Sequence, residues 1–472
     1  MGQEIHQVAF TPETFAEFER RLRRETELLI AWEREGRLRG DLAHLGFELE
    51  GWLIDEEGMP APRNQAFLAQ LDDPLVVPEL ARFNFEINND PIALGPGMFE
   101  RLQRSLQDRW RRCEAAARAL EMQALSIGIL PTVGREHLHL GNISPLARYR
   151  ALNEQVFRLR DGAPIELRID GPESLRHVHD DVMLESAATS LQIHLQTGSE
   201  QAVRVFNGAK IVSAAMVAIG ANSPFFLQHR LWEETRIPLF EQAVSVGGSD
   251  YSRRVTFGVR YARDSLLETF VANLERYPVL LPDLMDEPPE RLAHLRLHNG
   301  TIWRWNRPLV GFDADGRPHY RIEHRVVAAG TSALDVVADT AFFVGLMAAL
   351  VRRERPLEDE LPFERARDNF YRAARYGLAA EVDWTEGRRG RLDALIGEVL
   401  MPLAAQGLRA LGLAQGEIDD WLGIVADRAA SGRTGAAWQR RWIERHGPDW
   451  RGLVLAYAER QAHSRPVHEW AP

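Results

Sequence analysis

The chain has 472 residues, a formal net charge of −11 and a single cysteine, Cys113. That length accommodates a large core with an appended region, and an acidic balance without a long basic stripe argues against nucleic acid as a partner. One cysteine excludes an internal disulfide framework and cysteine-rich zinc sites and suits a reducing compartment. The first residues carry no basic-then-apolar signal pattern, and no apolar run reads as long enough to span a bilayer, so a cytoplasmic protein with no membrane partner is expected. Lys210 is the only lysine. Its setting, N-G-A-K-I-V, lacks the Gly-Lys-Ser/Thr ending of a P-loop, so any bound phosphates fall to arginines and metal.

Residues 11–36 read as a helix. Thr11 caps it, Pro12 suits its first turn, and Phe15, Phe18, Leu22 and Leu29 form an apolar stripe. A strand then runs from Gly46-Phe47-Glu48-Leu49-Glu50 through Trp52 and Ile54 to the turn D-E-E-G-M-P, after which the chain is expected to return as a hairpin. Period-two alternation places Glu48 and Glu50 on one face and Phe47 and Leu49 on the other. Residues 82–90 alternate likewise, Phe83, Phe85 and Ile87 against Asn84, Glu86 and Asn88. A helix is expected over 97–121, with Met98, Leu102, Leu106 and Trp110 on one face, and a buried strand over 122–130.

Residues 132–150 form a His-, Gly- and Asn-rich loop leading through Pro145-Leu146-Ala147-Arg148-Tyr149 into another helix. Residues 189–197 alternate, with Leu191, Ile193 and Leu195 inward and Gln192, His194 and Gln196 on the polar face. A buried helix over 202–220 ends at Gly220, and 282–290 reads as an exposed loop. The last strands are 300–307 and 319–327, the latter presenting Arg321, Glu323 and Arg325 on one face. From Ala333 onward the pattern is helical. The expected organisation is a catalytic region over 1–332 and a C-terminal helical region over 333–472 packed on its sheet.

Four of these strands carry acids or histidine on the face that should be neutral: Glu48 and Glu50, Glu86, His194, and Glu323. The first pair alone fits a solvated strand face. Four such faces together fit a shared concave surface, where repelling carboxylates become favourable around a cation. Oxygen ligands with one imidazole suit a hard divalent ion such as Mg2+ or Mn2+. Arg304, Arg307, Arg321 and Arg325 accompany the acids, and guanidinium forks beside acid-bound metal are the composition expected where a polyphosphate is held. His137 with His139, and His177 with His179, are weaker candidates that read as polar loop. Trp303 and Trp305 read as core or pocket wall.

The ordered series G-F-E-L-E, F-E-I-N, P-L-A-R-Y, I-H-L, A-N-S-P-F-F with Arg236 downstream, W-N-R-P and I-E-H-R-V resembles the glutamate–cysteine ligase type 2 family of carboxylate–amine ligases over roughly residues 40–330. The resemblance implies an α+β, glutamine-synthetase-like fold: a curved, mainly antiparallel sheet with helices on its outer face. It implies that Glu48, Glu50, Glu86, His194 and Glu323 ligate metals holding ATP, that Arg325 contacts the phosphates or the transferred group, and that Arg236 and Arg307 bind substrate carboxylate or phosphate. ATP with Mg2+ or Mn2+, and small amino-acid or amine substrates, are the expected ligands, and a homo-oligomer is compatible with the sequence. Three positions depart from the pattern: Asn306 stands where an acid is usual, Gln196 replaces a second histidine, and Ala328-Ala329 replace an acid. The same residues admit two other readings. One is a glycoside hydrolase using paired carboxylates with Trp303 and Trp305 as a sugar platform. The other is a non-catalytic nucleotide-binding homologue, for which Asn306 and Gln196 are the motive.

Overall fold

The computed structural model describes residues 4, 5, 7–247 and 253–471. Its strands are, in chain order, β1 (His44–Ile54), β2 (Val76–Pro78), β3 (Asn84–Asn88), β4 (Ile92–Ala93), β5 (Gln123–Leu125), the hairpin β6 (Ile165–Asp170) and β7 (Ser174–His179), β8 (Ser190–Thr197), the short pair β9 (Phe225–Phe226) and β10 (His229–Arg230), β11 (Asn306–Phe312) and β12 (Pro318–Ala328). Eight of them build one sheet in the order β11-β12-β8-β1-β3-β2, with β4 and β5 also on β1. All its pairings are antiparallel. This is the α+β class implied by the motif series.

The alternation read in the sequence becomes two faces. Phe47, Leu49, Ile193, Leu195 and Ile322 are buried on one side, where helices Ser199–Ile219 and Ala333–Leu350 pack against the central strands. The acids and His194 share the other side. The helix expected at 11–36 spans Pro12–Arg34, with Thr11 and Thr14 in a reciprocal capping box. The helix expected at 97–121 spans Met98–Arg118.

Several expectations are corrected. No hairpin follows β1: a single bridge joins Ile54 to Pro60, and a helix, Asn64–Leu71, comes next. The strand expected over 122–130 stops at Leu125. Beyond it the carbonyls go to other partners: Ser126 O accepts from Tyr457 and Gln461, Ile127 O from Trp52 Nε1, and Gly128 O from the Thr189 amide. The strand expected over 300–307 begins only at Asn306, because residues up to Gly300 close a helix, Ala293–Gly300. Within 282–290, Pro282, Asp283 and Met285 are buried rather than exposed. The helical C-terminal region contains one short hairpin, Glu381–Asp383 with Arg389–Arg391.

Contrary to the sequence reading, two helices, Ser199–Ile219 and Ala333–Leu350, are long and apolar enough to cross a membrane, yet 89% of the most apolar 18-residue stretch of each is buried within the fold. Their polar side chains are matched inside. Lys210 Nζ donates to Phe257 O at 2.6 Å, and Arg428 holds Asp335 and Asp339 at 2.7 Å each. Helix Ala333–Leu350 also crosses helix Met401–Ala410 at Gly345 and Gly407. A Cβ at Gly407 would stand 1.8 Å from Gly345 O, so only glycine permits that approach.

Candidate active site

Register brings the predicted site residues into rows across the sheet. Gly46 on β1 lies opposite His194 on β8, His194 opposite Glu323 on β12, and Glu323 opposite Arg307 on β11. In the neighbouring rows Glu48 lies opposite Gln192 and Glu50 opposite Glu86. A shift in register after His324 does not remove Arg325 from this face, and Arg325 lines the cup with Arg307, Arg321 and the acids. The cup encloses about 210 Å³.

Across β1, β8 and β12, Glu48, His194 and Glu323 each offer a ligand atom, all within 4.8 Å of one another, and Glu48 and Glu323 line the cup. His194 Nε2 is 3.5 Å from Glu48 Oε1 and 3.8 Å from Glu323 Oε1. It is buried and makes no hydrogen bond among the described residues. Glu50 accepts from the Ser190 amide at 2.6 Å and from Gln192 Nε2 at 2.9 Å, and Glu86 accepts from Asn88 Nδ2 at 2.9 Å.

Burial divides these groups electrostatically. It pushes Glu50 up to about 7, against the pull of Arg325, and Glu86 up to about 8, where the charge of Glu48 adds to the effect. It pushes His194 down to about 4. Glu323 is also desolvated, but Arg307 first, then Arg325 and His194, hold it down at about 2. The cup therefore sets Glu323, favoured as an anion by Arg307 and Arg325, beside two carboxyls whose burial favours the neutral form, and burial likewise disfavours the cationic form of His194.

Three predicted arginines enter the cup and two do not. Arg304 turns away, its Nη1 donating to Asn273 Oδ1 at 2.7 Å and its guanidinium lying 5.4 Å from the Tyr277 ring centroid. Arg236 lies beneath the sheet. It pairs with Glu234 at 3.1 Å and donates to the carbonyls of Arg325 and Val326, so it holds the irregular end of β12 rather than facing the cavity. His137 and His139 order their own loop, accepting from the Gly134 and Gly141 amides. His177 contacts His179, which meets Asp181 at 2.7 Å, away from the cup. Trp303 is cavity wall, whereas Trp305 is fully buried and donates to Glu241.

Glu79, Arg148, Tyr149 and Glu185 also line the cup without having been assigned a role from sequence. Burial pushes Glu185 up to about 8, with Glu79 and Glu50 adding to it, and raises Glu79 likewise. Arg148 and Tyr149 lay inside the P-L-A-R-Y motif, which was their only signal. Glu79 stands just past β2 and Glu185 on a short 3-10 helix, Val182–Ala187, where no periodicity marks a face.

This fold is similar to that of the solved glutamate–cysteine ligase of Francisella tularensis in complex with AMP, at a TM-score of 0.55 and 11% identity, covering 92% of this chain and 90% of that one. A bifunctional glutathione synthetase from Pasteurella multocida matches at 0.49 and 11% identity, over 92% of this chain and 54% of its own. No curated protein matches the sequence. The architecture is thus that of a glutamate–cysteine ligase fold, an antiparallel sheet curled around its site. The model of glutamate–cysteine ligase family 2 matches residues 44–460, and the chain belongs to that family of ligases. The match runs through β12 and far into the C-terminal helices, beyond the stretch where motifs were legible.

Proposed function

We propose that this chain is an ATP-dependent ligase that joins a substrate carboxylate to an amine through an acyl phosphate. The reading is supported above all by the convergence of Glu48, His194 and Glu323, with the buried Nε2 of His194 making no hydrogen bond among the described residues. Two carboxylate oxygens and an imidazole are a fitting donor set for Mg2+ or Mn2+, and Glu50 and Glu86 line the same cup. When bound, such an ion neutralises phosphate charge and draws it off the transferred group. The nucleotide itself is carried over from the family and from the AMP found in the F. tularensis enzyme.

The chain's own groups then have defined work. Arg325 and Arg321 line the cup, each with a buried Nε that no described residue accepts from, and they face the phosphates and the group in transfer. Arg307 orients Glu323. The substrate carboxylate oxygen attacks the γ-phosphorus and ADP leaves. The amine nitrogen then attacks the acyl carbon, phosphate departs, and a cup carboxylate takes the proton released from nitrogen. No side chain acts as nucleophile. We place this chemistry in residues 1–332, with the helices of 333–472 supporting the sheet from behind.

The non-catalytic reading loses its motive at the two altered positions. Asn306 points away from the cup, bonding Ser213 Oγ at 3.0 Å and His324 Nδ1 at 2.7 Å. Gln196 bonds His44 and Asp313 and does not line the cup. The sugar-platform reading fails on Trp305, which is sealed in the core. The test is ADP release across pairs of amino acids and amines with Mg2+ and Mn2+ compared. ADP formed in step with an amide is expected; a chain that neither binds ATP nor turns it over with any pair contradicts the proposal.

A further inference from the structure

Arg325 stands in a β-bulge. His324 lies opposite Ile193 and Val327 opposite Leu191, so two residues of β12, Arg325 and Val326, face the single residue Gln192 on β8. Such an insertion takes backbone groups out of the ladder and re-aims the side chain it carries. Here Arg325 lines the cup beside Glu323, while Val326 and Val327 are both fully buried. Carbonyls freed in the interior need other partners.

Those partners come from one helix, Arg236–Ala243. Arg236, its first residue, donates from Nη1 to Arg325 O at 3.3 Å and from Nη2 to Val326 O. Phe240 is four residues on and so shares a helix face with Arg236. It meets the other end of the same side chain, its ring centroid 5.4 Å from the Arg325 guanidinium carbon. A cation over an aromatic face at that distance is attracted to it. Arg236 is itself fixed, its Nε donating to Glu234 Oε1 at 3.1 Å and its amide to Ser223 Oγ at 3.2 Å. Glu234 also accepts from the Asn222 amide at 2.9 Å and from Ser223 Oγ at 2.8 Å. All of these residues are buried, and none lines the cup. Asn222 and Ser223 belong to the A-N-S-P-F-F motif, so two signals prominent in the sequence, that motif and Arg236, converge on one residue of the site without touching the site.

We infer that helix Arg236–Ala243 and the A-N-S-P-F-F turn are the mount of Arg325, with Arg236 and Phe240 as positioning residues for the group in transfer. Arg236 sets where the backbone of Arg325 runs. Phe240 sets where its guanidinium lies, and Glu234, held by Ser223 and Asn222, sets Arg236. The work assigned to Arg325 rests on the ligase reading; the place where Arg325 is held does not. Placement matters because an error of about 1 Å at a reacting centre can cost on the order of 10²-fold in rate.

Two variants of the full chain test this. Phe240→Leu keeps an apolar side chain and removes the ring face. Arg236→Lys keeps a charge beside Glu234 but loses the fork that serves two carbonyls. In each, kcat for ADP release is expected to fall about 10–100-fold, with the KM of the amine unchanged. In an Arg325→Ala background, Phe240→Leu is expected to cost less than about threefold more, because the group it positions is gone. Losses that multiply in the double variant would show Phe240 acting on the fold at large and overturn the inference. A crystal structure of Phe240→Leu gives a readout that needs no turnover: the Arg325 guanidinium is expected to leave its place 3.4 Å from Glu323. If no substrate pair yields ADP, the ligase reading falls and the crystal readout alone decides. An unmoved Arg325 in that structure, or an unchanged kcat, overturns the inference. If Arg236→Lys fails to fold, Phe240→Leu carries the test.

Discussion

Arg307 grips Glu323 from directly across the β11–β12 ladder, Nε donating to one carboxylate oxygen at 2.8 Å and Nη2 to the other at 2.7 Å. Both partners are buried, so the pair fixes the direction in which Glu323 offers its lone pairs and keeps the carboxyl ionised. Lysine keeps the charge but loses the fork. Arg307→Lys is expected to weaken divalent-ion affinity by about 10–100-fold, the usual cost of losing a partner that orients a ligand. Titration of Mn2+ followed by its paramagnetic resonance checks this, and unaltered affinity would place Glu323 outside the metal set.

Removing the imidazole tests the centre more directly. Divalent ion at a hundredfold excess over Kd is expected to stabilise the unaltered chain by about 2.7 kcal/mol. In His194→Ala that gain should largely vanish, while the metal-free protein still melts cooperatively. Thermal melts with and without MgCl2 or MnCl2 give the comparison. An equal ion-dependent rise in both proteins would sink the assignment of His194.

Lys210 should give stability a pH signature. Burial pushes its ammonium down to about 7, with Arg304 adding to the effect. The unfolded chain, titrating near ~10.4, keeps a proton that the folded chain has released, so this lysine makes stability rise as pH goes from about 7 toward 10 and fall as pH drops back toward 7. Relative to Lys210→Met, the unaltered chain is expected to gain up to about 1.4 kcal/mol per pH unit in that window. Urea unfolding at pH 7 and 9 measures the difference; parallel stabilities would mean that the amine is hydrated in the folded state.

Arg428 ties the C-terminal helices to the core by serving Asp335, Asp339 and Ile219 O together. Arg428→Leu leaves two buried carboxylates unmatched and is expected to cost about 3–5 kcal/mol. Chemical denaturation should show the loss, with faster amide exchange in helices Gln415–Ser431 and Ala333–Leu350. A cost under about 1 kcal/mol would show that water reaches the triad.

What could be read in the sequence followed from alternation. β1, β3, β8 and β12 each run long enough for period two to separate Glu48, Glu86, His194 and Glu323 from their apolar neighbours, and the sheet sets those four side by side. Where side chains override the backbone pattern, the reading failed. The apolar run after Leu125 resembles a strand, but its carbonyls are taken by Tyr457, Gln461 and Trp52, partners that no local window contains. Arg236 and Arg304 have the composition of phosphate ligands, and only the tertiary structure shows one spent on the carbonyls beneath β12 and the other on Asn273. Glu79 and Glu185 were invisible because one follows the end of a three-residue strand and the other sits on a six-residue 3-10 helix, both too short for a pattern to mark the inward face.

The burial of Lys210 among Phe206, Phe257 and Phe363 has a chemical corollary. The folded chain exposes many guanidinium groups but no lysine amine, and guanidinium stays protonated and non-nucleophilic at any pH where a protein works. Under the proposed mechanism, a carboxyl group activated in the cup therefore meets no exposed lysine of its own chain to acylate, and modification of lysine by the enzyme itself is closed off by composition.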